Sequence, residues 1–206
     1  MSFFEAPRLP PESEPPWIEP EPKPWHGPPP RALPGRLADT LLLAHTDRVA
    51  VAVGDLAAYT TGFTFTLQSI ARRFDPREWS RFDAFNMGPP RSATEELPPE
   101  LLRFGVEFAD GGRATSLDVF GRHSDDPAEP PQPPLLQPRG GGGGGGYWSH
   151  DVWVWPLPPA GPLTFACEWP ALDIALSRID IDAERLREAA GRSRLLWPDD
   201  GRAPQS

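Results

Sequence analysis

Gly62-Phe63-Thr64-Phe65-Thr66-Leu67-Gln68 alternates apolar and polar residues without a break. In an extended chain, successive side chains point to opposite faces. Phe63, Phe65 and Leu67 therefore face a core, while Thr64, Thr66 and Gln68 face out. The seven residues read as a half-buried strand, and the same period recurs on both sides of them. Upstream, Leu41-Leu42-Leu43-Ala44 is a short apolar run. After a turn at Thr46-Asp47, Val49, Val51 and Val53 alternate with alanines. Downstream, Phe104, Val106 and Phe108 alternate with Arg103, Gly105 and Glu107, and Asp110-Gly111-Gly112 supplies the positive φ of a hairpin turn into a return strand near 114–119.

Asp151-Val152-Trp153-Val154-Trp155 is β-branched and aromatic, and Leu163, Phe165, Cys167 and Trp169 alternate with Thr164, Ala166 and Glu168. Ile174 to Ile181 reads as a further strand. One helix is expected, over about 183–190: Asp182 can cap it, Leu186 and Ala190 share a face, and Gly191 falls at the C′ position. Leu186, Leu195, Leu196 and Trp197 are expected to dock it. About seven to nine short strands with no βαβ alternation predict a mainly β protein, an antiparallel two-sheet β-sandwich with one short C-terminal helix.

The 30 prolines mark where the sheets stop. Average usage would give about ten, and proline lacks the N–H of a central strand. Residues 1–35 hold twelve prolines, five glutamates, Trp17 and Trp25, and are expected to be a disordered or polyproline tail. The folded domain is expected over 36–197, with irregular inserts near 75–100 and 121–146 and a disordered end at 198–206. The second insert closes with seven glycines, Gly140–Gly146, which read as a poly-Gly loop and flexible connector because neither a Lys nor a helix follows to make a phosphate loop.

Charge and cysteine content narrow the function. The net charge of −9 works against a nucleic-acid or anionic-membrane surface. Cys167 is the single cysteine, the N-terminus lacks the pattern of a signal peptide, and no run is long enough to span a bilayer, so a soluble, cytoplasmic protein is expected. Nineteen of the 20 basic residues are arginine, which fits a GC-rich bacterial genome.

No catalytic constellation emerges. His45 with Asp47, and His150 with Asp151, are dyads only, so neither a metal site nor a cofactor is expected. Gly191-Arg192-Ser193-Arg194 lacks the second glycine of a nucleophile elbow. Glu107 and Glu168 face outward on separate strands, where the carboxylates of a jelly-roll glycosidase would sit. The candidate binding residues are aromatic: Trp153 and Trp155 on one side of their strand, Tyr147 and Trp148 just before it, and Trp17 and Trp25 in the tail. Both strand tryptophans are either covered or form a platform for sugars, prolines or protein, and the tail's own prolines could lie on them. The reading is a non-catalytic binding or protein-interaction module with a protein partner. The alternatives are a carbohydrate-active enzyme using the two glutamates beside the tryptophans, and a structural subunit whose tail serves as an arm.

Trp25-His26-Gly27-Pro28-Pro29, Tyr59 through Leu67, Phe104 to Gly112, and Gly161-Pro162-Leu163 through Trp169-Pro170 resemble a family of uncharacterised proteins from GC-rich bacteria. The resemblance covers most of the chain and implies no activity, since none is assigned to that family.

Overall fold

The structure, a computed structural model, describes residues 22–79, 97–118 and 130–197. The strand that sets the fold class is β5 (Gly62–Ala71), and it lies within a run that begins with β1 (Ala32–Leu33), β2 (Gly35–Arg36), β3 (Leu41–His45) and β4 (Val49–Tyr59). A helical turn, α1 (Pro76–Trp79), precedes β6 (Arg103–Glu107) and β7 (Arg113–Thr115). Then come β8 (Leu135–Gly144), β9 (Tyr147–Trp155), β10 (Pro162–Trp169) and β11 (Ile174–Asp182), helix α2 (Ala183–Gly191) and β12 (Arg194–Leu195). The protein is mostly β, with antiparallel sheets and, among the described residues, one helix longer than a turn.

Six strands form one sheet in the order β2-β4-β5-β9-β8, with β3 also on β4. Four form a second, β11-β10-β6-β7, and β1 pairs with β12 in a short ribbon. Alternation decides what each face buries. Phe63, Phe65 and Leu67 are buried, and the rings of Phe63 and Phe65 meet Phe165 of β10 at 6.4 and 5.2 Å. Phe104, Val106 and Phe108 join the same core from β6 and its exit. Two local signals act as the sequence says. The Thr46 hydroxyl accepts from Arg48 N and Val49 N to turn β3 into β4, and the Asp110 carboxylate accepts from Gly112 N beside Gly111 at φ 86°.

Several expectations are corrected. Residues 22–36 are a strap and not a disordered tail. Lys23–His26 closes a β-turn through His26 N to Lys23 O (3.0 Å), β1 pairs with β12, and β2 pairs with β4 beneath α2. Composition misled here because the carbonyls of Pro24, Trp25 and His26 find donors on distant strands, from Trp153, Gln137 and Arg139. The expected insert also contains β8, paired with β9 from Leu135↔Trp155 to Gly144↔Tyr147. Ladder bonds need only backbone, so the absence of side chains does not prevent pairing. Gly145 and Gly146, at φ 62° and 93°, make the primed turn that closes the hairpin. Residues 119–129, the other half of that insert, lie outside the described residues, as do residues 1–21, 80–96 and 198–206.

At the C-terminus, Asp182 caps α2 by accepting from Glu184 N at 2.9 Å, as expected. Gly191 is the last helical residue and Arg192 the C-cap. The helix docks through Ala183, Leu186, Ala189 and Ala190, all buried, whereas Leu195, Leu196 and Trp197 are exposed. Backbone pairing of β12 to β1 holds that end out from the core.

Candidate functional site

The aromatic candidates separate into two places. Trp153 is fully buried and donates its indole Nε1–H to Pro24 O at 3.2 Å, with Tyr59 edge-on at 5.9 Å. Trp155 is half-buried beneath Trp25, ring centroids 5.9 Å apart and the planes 63° to each other. Arg139 donates to His26 O at 2.7 Å, and Gln137, with its carboxamide turned to donate, reaches Trp25 O and His26 O. The platform is therefore filled by the chain's own strap. Val152 and Val154, on the other side of β9, are buried in the main core, so this strand is covered on both faces.

Trp148 and Tyr147 lie at the far end of β9, about 17 and 20 Å from Trp153 at ~3.4 Å per residue. Trp148 is half-buried against Phe74 (5.8 Å), and Tyr147 is exposed. Trp17 lies outside the described residues. The aromatic set does not converge on an open site.

An open site lies instead on the outer face of the four-stranded sheet. Register builds it. β10 pairs with β6 so that Thr164, Ala166 and Glu168 stand beside Glu107, Gly105 and Arg103. Gly105 also faces Thr115, and Ala166 also faces Arg178. The two smallest residues thus form a central floor between larger neighbours, leaving a groove of about 270 Å³. Leu97, Leu117 and Leu176 wall one end of it, and Phe104, Val106 and Cys167 close the core beneath. A side chain at Gly105 would strike Ala114 O at 2.7 Å, so glycine both opens the floor and lets β7 approach.

Charges bracket this floor. At the leucine end Arg103 pairs with Glu168 and also donates to Leu97 O and Pro98 O. At the other end Glu107 lies between two guanidiniums: Arg113 Nε at 3.0 Å and Arg178 Nη1 at 3.1 Å. Hydrogen bonding from Arg113, assisted by Arg178, holds the Glu107 carboxyl below its ordinary range. Asp180, in the same row as Glu107 on the far side of Thr164, accepts from the Thr164 hydroxyl at 2.6 Å, and Asp118 accepts from Thr115 N and Oγ1 at the rim.

This arrangement is poorly suited to hydrolysis. Glu107 and Glu168 share a face but stand four residues apart along paired strands, an offset of about 13–14 Å, against the ~5–9.5 Å separation of glycosidase carboxylates. A general acid also needs a raised pKa, and Glu107 moves the other way. Cys167 is buried, and that burial pushes its thiol up to about 12, which removes it as a nucleophile at neutral pH. What the groove offers is an apolar floor with fixed guanidiniums, a surface for holding a ligand.

Sequence reading placed Arg103, Gly105, Glu107, Ala166 and Glu168 outward but did not bring them together, and it missed Arg113, Arg178 and Leu176. Alternation gives a residue's face, whereas the row it occupies depends on pairing between strands about sixty residues apart. No protein family, curated protein or solved structure matches the chain.

Proposed function

We propose that the protein is a non-catalytic binding module. The six-stranded and four-stranded sheets are read as the two layers of a sandwich, with the ligand lying in the groove on the outer face of β11-β10-β6-β7. One observation carries this reading: the paired small residues Gly105 and Ala166 open an apolar floor whose bracketing charges are all partnered within the protein. The strap on Trp153 and Trp155 supports it by leaving that second surface covered. The states of Glu107 and Cys167 support a holding role over a chemical one.

The experiment is a titration of the full chain with an uncharged apolar fluorophore, N-phenylnaphthylamine. Emission should rise on binding, and Ala166→Trp, which fills the floor from its outward face, should abolish the rise while leaving the melting temperature unchanged. An undiminished rise in the folded variant would overturn the proposal.

A further inference from the structure

We infer that the groove takes a monoanionic amphiphile, with its apolar chain over Gly105 and Ala166 and its anionic head between Arg113 and Arg178. This rests on the groove being the binding surface, and it adds the chemical class of what binds. The two ends of the groove differ in kind. Around Arg103 and Glu168 the ion pair is closed, Arg103 is further anchored to two backbone carbonyls, and Leu97, Leu117 and Leu176 make the wall. An apolar tail meets a paired guanidinium there, of which Nε is buried without an acceptor.

At the opposite end two guanidiniums share one carboxylate. Arg113 and Arg178 have side chains 63% and 48% exposed, whereas Glu107 beneath them is 27% exposed. A ligand entering from solvent therefore meets cations before it meets the carboxylate. Among the described residues the Arg178 side chain makes one hydrogen bond, through Nη1 to Glu107, so N–H donors remain for a second acceptor. The groove's own charges are Arg103, Arg113 and Arg178 against Glu107 and Glu168, a surplus of one positive charge in a chain whose net charge is −9. Asp180 and Asp118 keep their charges while accepting from the Thr164 hydroxyl and from Thr115, but neither lines the groove. From the Glu107 row to the Arg103 row is about 13–14 Å of strand, the scale of a medium-chain tail.

The test compares octanoate, octanol and octylamine by calorimetric titration of the full chain, of Ala166→Trp, of Leu176→Asp and of Arg178→Gln. Octanoate should bind at least about tenfold more tightly than octanol, the ratio expected of one charge-assisted hydrogen bond, and octylamine most weakly. Ala166→Trp should remove binding of all three. Leu176→Asp changes an exposed wall residue and should weaken them without threatening the fold, and Arg178→Gln should erase the preference for octanoate. If octanoate and octanol bind equally and both are lost in Ala166→Trp, the groove stands and the anionic class is overturned. Absence of binding by all three probes, or octanoate binding that survives Ala166→Trp and Leu176→Asp, overturns the groove itself and this inference with it.

Discussion

The indole nitrogen of Trp153 donates to the carbonyl of Pro24 at 3.2 Å, joining residues 129 positions apart in the chain. With Trp25 on Trp155, and Arg139 and Gln137 on the carbonyls of residues 25 and 26, this contact makes the Pro-rich segment a structural strap.

Trp25→Ala should therefore lower unfolding free energy by about 1–2 kcal/mol, from the lost aromatic pair and the apolar area uncovered on Trp155. Denaturant unfolding of the full chain measures this. An unchanged midpoint would show that the strap contributes nothing.

The strap is fixed a second time where β2 passes under the C-terminal helix. A methyl at Gly35 would lie 1.8 Å from Ala189 O, a backbone atom that no side-chain rotation can move. Gly35→Ala is predicted to cost about 2–3 kcal/mol by overpacking. Thermal unfolding decides it, since a variant as stable as the parent would mean that α2 shifts freely.

The glycine ladder gives a sharper contrast between neighbours. A Cβ at Gly142 meets nothing within 4 Å, whereas one at Gly143 would lie 2.2 Å from Tyr147 O. Gly142→Ala should stabilise the chain by about 0.5–1 kcal/mol through lower unfolded-state entropy. Gly143→Ala should destabilise it by about 1–3 kcal/mol. Equal effects at the two sites would place the run outside a paired strand.

The extent to which the sequence disclosed these features follows from where the information lies. Alternation in Phe63–Leu67, the turn at Asp110-Gly111-Gly112 and the Asp182 cap are local, and each was legible. Gly140–Gly144 has no side chains to alternate, so its pairing with β9 left no trace in the sequence. The Pro-rich strap read as disorder because the partners of its Pro24, Trp25 and His26 carbonyls, namely Trp153, Gln137 and Arg139, are more than a hundred residues away. The groove was half legible: its outward residues were named, but the row that sets Ala166 beside Gly105 is a property of register.

His150, on β9 opposite Gly141, gives a pH dependence. Burial of the ring pulls its pKa from 6.5 down to about 4, against the opposing effects of the Gly140 backbone and Asp151. The unfolded chain thus binds a proton below pH 6.5 that the folded chain refuses until about pH 4, so stability is lost as pH falls through that window. A fully buried group would contribute roughly 3 kcal/mol, and for this half-buried ring about 1–2 kcal/mol is expected. His150→Gln should flatten the difference between unfolding midpoints at pH 7 and pH 4.5. A variant with the parent's full pH dependence would assign the effect to other groups.

The binding account is tested most directly by intermolecular nuclear Overhauser effects between octanoate and the methyl groups of the full chain. Cross-peaks from the octanoate methylenes to the Ala166 and Leu176 methyls are predicted, with none to Leu42, an exposed residue on β3 of the other sheet. Cross-peaks confined to methyls outside the four-stranded sheet, with Ala166 and Leu176 silent at saturating ligand, would contradict the account.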